Sequence, residues 1–189
     1  MISGIIMASG FSKRMGENKL LMNFKGKKLI EYVIKANLQS KIDEILLIYR
    51  DENIRNIGLS YGIKTIYNDM ANLGQSQSII KGVKNASGES YMFFPGDQPF
   101  ITKDLIDLLI NEHLKDRGKI TIPYFKDKRY TPTIFPKAFR EELLKIQGDR
   151  GGREIIERNP GKVQRIHVDN EYILADFDTL DDFNYWSRT

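Results

Sequence analysis

The run Met7-Ala8-Ser9-Gly10-Phe11-Ser12-Lys13-Arg14-Met15-Gly16-Glu17-Asn18-Lys19 gathers groups that suit an anion. Gly10 and Gly16 let the backbone take positive φ or approach a ligand closely. Successive backbone N–H groups in such a loop can form an anion-binding nest. Ser9 and Ser12 add hydroxyls, and Lys13, Arg14 and Lys19 add cations. The composition suits phosphate, yet it is neither a P-loop nor a GxGxxG fingerprint, because Gly16 is followed by Glu17 and no Lys-Ser/Thr pair. A carboxylate complements it. Tyr91-Met92-Phe93-Phe94 is an apolar run ending in Pro95-Gly96-Asp97-Gln98-Pro99, a tight turn that presents Asp97. Magnesium takes one or two carboxylates with phosphate oxygens and water, so Asp97 facing a phosphate loop suits that ion. The plainer role is a turn aspartate bonding its own backbone. The pairing with the first loop favours the metal. Asp176 is the expected second ligand, with Asp178 as the fallback. Asp181 and Asp182 are explained by the first turn of a helix capped by Thr179 or Asp178.

Two further segments carry polar groups beside glycine. In Asn72-Leu73-Gly74-Gln75-Ser76-Gln77-Ser78, Ser76 is expected to cap a helix whose N–H groups could meet an anion or a base carbonyl. Gln147-Gly148-Asp149-Arg150-Gly151-Gly152-Arg153 reads either as a connector or as an anion site for a second substrate, held by Arg150 and Arg153.

Composition narrows the chemistry. The 189 residues contain no Cys and only 2 His, which excludes disulfides, thiolate zinc, iron–sulfur clusters and a Cys nucleophile. The net charge of +4 is spread along the chain without a Lys/Arg block, so no nucleic-acid stripe is expected. The longest apolar runs, such as Ile45-Leu46-Leu47-Ile48-Tyr49, are far short of a membrane span. The apolar start, Met1 to Ala8, lacks a basic n-region and reads as a strand, not a signal peptide. A cytoplasmic protein, one domain over residues 1–189, is expected.

These residues must be positioned by alternating elements. Strands are expected at Ile2–Ala8, Glu44–Tyr49, Ile63–Tyr67, Tyr91–Phe94, Ile120–Tyr124, Thr133–Phe135 and Val163–Val168. Helices are expected at Leu29–Leu38, Asn53–Ser60, Ser76–Asn85, Lys103–Lys115, Lys137–Lys145, Arg153–Arg158 and Thr179–Trp186. Short apolar strands alternating with amphipathic helices predict a mostly parallel sheet covered on both faces. Ligands of such sheets bind beyond the carboxyl ends of the strands, where the strand order switches. The segments after the first and fourth predicted strands are the ones singled out above. Neither His113 nor His167 lies near a motif, and both are expected to be structural or surface residues.

Read together, M-A-S-G-F-S-K-R-M-G-x-x-K, G-Q-S-x-S, P-G-D-Q-P, G-D-R-G-G-R and D-F-D-T resemble the molybdenum cofactor cytidylyltransferase group of the MobA-like NTP transferases. The motifs fall in the same order over essentially the whole chain. The resemblance implies a three-layer α/β/α Rossmann-like fold of the nucleotide-diphosphosugar transferase type, with a mixed, mostly parallel sheet. It also implies a magnesium-dependent transfer of CMP from CTP to the molybdopterin phosphate, with release of pyrophosphate. Ala8, Ser9, Gly10, Ser12, Arg14, Lys19, Gly74, Gln75 and Ser76 would bind the nucleotide. Arg14, Lys19 and Asp97 would be catalytic, Asp97 and Asp176 would hold magnesium, and Arg150 and Arg153 would hold the acceptor. A molybdenum hydroxylase or its maturation chaperone would be the downstream partner. Met7-Ala8-Ser9-Gly10 is nearer the L-A-A-G of cytidine enzymes than the L-A-G-G of guanine ones, although Ser9 replaces an alanine. Tyr130-Thr131-Pro132 keeps only the proline of the group's G-x-P. The alternatives are a guanylyltransferase, a sugar- or alcohol-phosphate nucleotidyltransferase of the same fold, or a non-catalytic carrier of the cofactor.

Overall fold

The computed structural model describes residues 1–11, 18–177 and 179–188, the side chains of 180, 187 and 188 excepted. In chain order the elements are β1 (Ile2–Ala8), β2 (Asn23–Phe24), β3 (Lys27–Lys28), α1 (Leu29–Leu38), β4 (Glu44–Tyr49), α2 (Glu52–Ser60), β5 (Lys64–Tyr67), α3 (Ser76–Asn85), β6 (Ser90–Pro95), α4 (Lys103–Lys115), β7 (Ile120–Phe125), β8 (Lys128–Arg129), β9 (Thr133–Pro136), α5 (Arg140–Leu143), α6 (Arg153–Arg158), β10 (Val163–His167) and α7 (Leu180–Arg188). The main sheet runs β10-β7-β9-β6-β1-β4-β5, with β8 on β7, while β2 and β3 form a separate hairpin. β1 pairs parallel with both β4 and β6, β4 with β5, and β10 with β7. Within the main sheet, β9 and β8 run against their neighbours. This is the mixed, largely parallel α/β sheet expected.

Alternation along the strands supplies the two faces. Ile6 and Leu47 point into a core with Ile30, Val33 and Ile34 of α1, Ile54 of α2 and Leu105, Ile106 and Leu109 of α4. Ile5, Leu46 and Ile48 point the other way, onto Ile79 and Val83 of α3, Leu143 of α5 and Ile155 of α6. Successive strand residues therefore serve opposite layers. α3 approaches β1 so closely that a Cβ on Gly82 would stand 2.4 Å from Ile5 Cγ2. The chain moves outward from β1 through β4 to β5, then returns across β1 to β6. That reversal places the switch point at β1, and the crevice beyond its carboxyl end.

Several local expectations change. The helix expected over Lys137–Lys145 is a 3-10 turn at Lys137–Phe139 followed by the short α5. Pro136 stands at the cap of that turn, and the last residues already leave the helix. The β2–β3 hairpin and β8 are additional; their two-residue strands are too short to show alternation. Phe24 of β2 is the centre of a third cluster with Leu29 and Phe177, against which Tyr32, Phe100, Phe183 and Trp186 pack.

Candidate active site

The parallel strands β1, β4, β5 and β6 end on one edge at Ala8, Tyr49, Tyr67 and Pro95. Ser9, Arg50, Asn68 and Asp97 leave the sheet there. Ser9 is buried, and its hydroxyl lies 2.6 Å from Ser78 Oγ. Asn68 Nδ2 donates to Ser9 Oγ at 2.9 Å, and Asn68 N–H donates to Tyr49 O at 2.7 Å. The Ser9 hydroxyl is thus engaged inward, tying the end of β1 to α3 and to the chain after β5. Gly10 is exposed, and a Cβ there would meet nothing among the described residues. Ser12, Lys13, Arg14 and Gly16 lie outside the described residues. Asn18 Oδ1 accepts from Leu20 N–H at 3.3 Å, and its Nδ2 donates to Asp51 Oδ2 at 3.1 Å.

Lys19 reaches across the crevice. Its Nζ stands 2.5 Å from Asp97 Oδ2 and donates to Phe177 O at 2.8 Å. Phe177 N–H donates to Asp97 O at 3.0 Å. Lys19, Asp97 and the residue after Asp176 therefore form one assembly, although they come from three distant parts of the chain. Phe177 is fully buried, with its ring 5.1 Å edge-on from Phe24, and this anchors the exposed Asp176 at the rim. Asp178 lies outside the described residues. Thr179 and Asp182 cap α7 reciprocally: Thr179 N–H donates to Asp182 Oδ2 at 2.8 Å, and Asp182 N–H to Thr179 Oγ1 at 3.1 Å. Of the two caps expected there, Thr179 is accordingly the one seen. Gln98 is buried beside Asp97, its Nε2 donating to Thr131 Oγ1 at 2.7 Å and to Leu174 O at 3.2 Å.

Ser76 is not the cap of α3; it is the first residue of the helix, fully buried, and its hydroxyl has no hydrogen-bond partner among the described residues. The partners of this helix start come from the G-D-R-G-G-R segment. Gln75 N–H donates to Asp149 Oδ1 and Ser76 N–H to Gly148 O, both at 3.0 Å. The structure therefore brings the second and third polar segments together, with Gly151 packed on Gln75 and Gly152 on Phe135. Arg150 and Arg153 sit beside this junction and converge on Glu157, at 3.0 and 3.6 Å, with Arg150 also 3.4 Å from Glu154.

Two residues of this edge were not marked by any motif. Arg129, on the unforeseen β8, joins Arg150 and Arg153 on Glu157 at 3.3 Å. Arg50 leaves β4 beside Ser9, since Ala8 pairs with Tyr49. Its guanidinium lies 4.2 Å from the Phe11 ring, and its buried Nε has no hydrogen-bond partner among the described residues. The one sequence signal for Arg50 was its position after an expected strand; Arg129 had none, since β8 itself was not expected.

A phosphate-type loop, a carboxylate at a strand end and a switch point at β1 on a mixed α/β sheet define a protein of the nucleotide-diphospho-transferase type of fold. A solved structure of a Mycobacterium sp. strain JC1 homolog of Mycobacterium tuberculosis Rv0371c superposes with a TM-score of 0.84 over 99% of this chain and 95% of that one, at 21% identity. The MobA-like NTP transferase domain is matched over residues 4–164, and the chain belongs to that enzyme family. A probable molybdenum cofactor guanylyltransferase of Natranaerobius thermophilus is 33% identical over 65% of this chain and 60% of its own length. A second protein of that description, from Thermococcus gammatolerans, is 28% identical over 83% of each. The chain thus spans about three fifths of the first of these relatives. Both are named for guanylyl and not cytidylyl transfer. Among the described residues, no helix is long and apolar enough to cross a membrane.

Proposed function

We propose that this protein transfers the guanylyl group of GTP to the terminal phosphate of a molybdopterin-type acceptor and releases pyrophosphate. The observation that carries this reading is the pair of relatives described as molybdenum cofactor guanylyltransferases. They move the nucleotide from CTP, which the M-A-S-G tetrapeptide suggested, to GTP. The chemistry needs no protein nucleophile. An oxygen of the acceptor phosphate bonds to the α-phosphorus, the bond from that phosphorus to the β-bridging oxygen breaks, and pyrophosphate leaves with the electron pair. Positioning and charge neutralisation carry such a reaction.

The residues fit a hard divalent cation shared with substrate. Among the described residues no cluster of three or more carboxylates or imidazoles occurs. Two carboxylates are nonetheless enough for magnesium when phosphate oxygens complete its shell. Asp97 and Asp176 would hold it, and when bound it supplies Lewis-acid polarisation of the phosphate oxygens. Arg14 and Lys19 would bring positive charge to the leaving pyrophosphate. The backbone of Ala8, Ser9 and Gly10 and the Gly74–Gln75–Ser76 turn would receive the base. Arg150 and Arg153, with Arg129, offer guanidinium donors to the acceptor, because each guanidinium carries five N–H groups and Glu157 engages only part of them.

A second reading, CMP transfer from CTP, is favoured by the Met7-Ala8-Ser9-Gly10 tetrapeptide, nearer the L-A-A-G of cytidine enzymes than the L-A-G-G of guanine ones, although Ser9 replaces an alanine. The Ser9 hydroxyl sits in a buried bond network with Ser78 and Asn68. Incubation with molybdopterin, magnesium and either GTP or CTP, followed by mass analysis, decides between them. The expected product is the guanine dinucleotide. A cytosine dinucleotide would move the assignment to the second reading. If neither forms and no NTP raises the melting temperature, both readings fail.

A further inference from the structure

Helix α3 begins without a cap of its own. Gln75, the residue before it, has helical angles of φ −59° and ψ −29° and makes no side-chain cap bond. The first amides of a helix need partners from outside it. Here they come from 74 and 72 residues away: Asp149 Oδ1 takes Gln75 N–H at 3.0 Å, and Gly148 O takes Ser76 N–H at 3.0 Å. Glycine makes this approach possible. Gly74 has φ +101°, and a Cβ there would stand 2.6 Å from Gly148 C and 2.7 Å from Asp149 Oδ1. Gly148 and Gly151 have φ of +65° and +54°, and a Cβ on Gly151 would stand 3.0 Å from Gln75 Oε1. Backbone lies against backbone, and a side chain at position 74 would force the two segments apart.

Two consequences follow from the charge. A carboxylate at a helix start interacts favourably with the helix dipole. It also occupies the place where that helix start would receive a phosphate. A triphosphate oxygen brought there would meet a like charge. The start of α3 is left for a neutral part of the nucleotide.

We propose that Asp149 is a positioning residue for nucleotide recognition, fixing the Gly74–Gln75–Ser76 turn as the surface that receives the base and keeping the triphosphate off the start of α3. This rests on the nucleotidyl-transfer reading of the site. The test compares the full-length wild type with Asp149→Ala and Asp149→Asn, using GTP and inorganic triphosphate as ligands. Turnover is read as pyrophosphate release, and binding is read directly by calorimetry. Losing a charge-assisted hydrogen bond predicts a rise of about 10-fold in KM and Kd for GTP in Asp149→Ala, with kcat changed by less than about 3-fold. Asp149→Asn keeps an acceptor for Gln75 N–H and is expected to restore most of the GTP affinity. Inorganic triphosphate, which has no base, is expected to bind both variants as tightly as wild type or more tightly. The proposal is overturned if GTP binds Asp149→Ala as it binds wild type. It is equally overturned if GTP and triphosphate weaken together, because that pattern reports general loosening. If wild type binds no NTP, the nucleotidyl-transfer reading itself falls; if wild type binds and the variants do not differ, only the role of Asp149 falls.

Discussion

Lys19 joins both walls of the crevice. Its ammonium contacts Asp97 Oδ2 at 2.5 Å and Phe177 O at 2.8 Å, with both Lys19 and Asp97 side chains 16% exposed. Replacing Asp97 by Asn keeps the size but removes the charge that holds Lys19 and would hold the metal. Asp97→Asn is expected to lower pyrophosphate release about 100-fold or more, as loss of a group stabilising transition-state charge does. Its melting temperature should move by only a few degrees, because the amide oxygen still accepts from Lys19, which also keeps its bond to Phe177 O. Turnover within a few-fold of wild type would remove Asp97 from the catalytic set. At this scale Asp97 and Lys19 were legible, because a turn aspartate after an apolar strand and a cation closing a glycine loop carry their chemistry in their spacing. The direction of the Ser9 hydroxyl was not legible. It is set by Ser78 and Asn68, residues that only the fold brings to it. Arg50 was invisible for a related reason: an arginine after a strand is ordinary until its guanidinium is found on the Phe11 ring.

Elements with a clear period were legible, and elements defined by distant partners were not. β1, α1, β4, α3 and α4 fall where apolar alternation or a helical stripe places them. The β2–β3 hairpin has no period to read, and yet it carries Phe24. That ring packs edge-on against Phe177 at 5.1 Å, Tyr32 at 5.7 Å and Phe100 at 5.8 Å, and Phe177 carries Asp176 as its neighbour. The hairpin is therefore a support of the site and not a decoration of the loop. Phe24→Ala is expected to cost about 3 kcal/mol or more, the range for emptying a buried aromatic position. Because the segment carrying Asp176 loses its anchor, the magnesium concentration giving half-maximal turnover should rise in the fraction that stays folded. Chemical denaturation and a magnesium titration measure the two effects separately. A large stability loss with an unchanged magnesium midpoint would show that the cluster supports the fold alone. The start of α3 illustrates the same limit from the other side: its helix was legible, but its cap by Gly148 and Asp149 was not, since nothing local announces a partner so far along the chain.

The whole molecule is held by polar bonds that cross its layers as well as by its two apolar cores. His113 of α4 is fully buried, with Nε2 2.8 Å from Ser90 Oγ on β6 and Nδ1 3.0 Å from Thr121 Oγ1 on β7. Thr121 Oγ1 donates in turn to Gln164 Oε1 of β10 at 3.4 Å. That direction leaves the Thr121 oxygen to accept from Nδ1–H and the ring Nε2 to accept from the Ser90 hydroxyl, a neutral imidazole. Burial, with a smaller push from the Arg117 charge, lowers its pKa from 6.5 to about 4. In the unfolded chain the same ring takes its proton near the ordinary value. Between about pH 6.5 and pH 4 the unfolded state thus binds a proton that the folded state refuses. Stability contributed by this group is complete above that window and is lost as the pH falls through it. The loss is on the order of 2 kcal/mol by the time the lower limit is reached. His113→Gln removes the titration but keeps a group able to bond Ser90 or Thr121. Urea unfolding of wild type and His113→Gln at about pH 7 and about pH 4.5 isolates the effect, because every other titrating group is common to both proteins. Wild type should be the more stable at the higher pH, and its advantage should shrink as the pH is lowered. An advantage that stays constant would mean that the ring titrates alike in both states, and the layer-crossing bonds would then contribute no pH dependence.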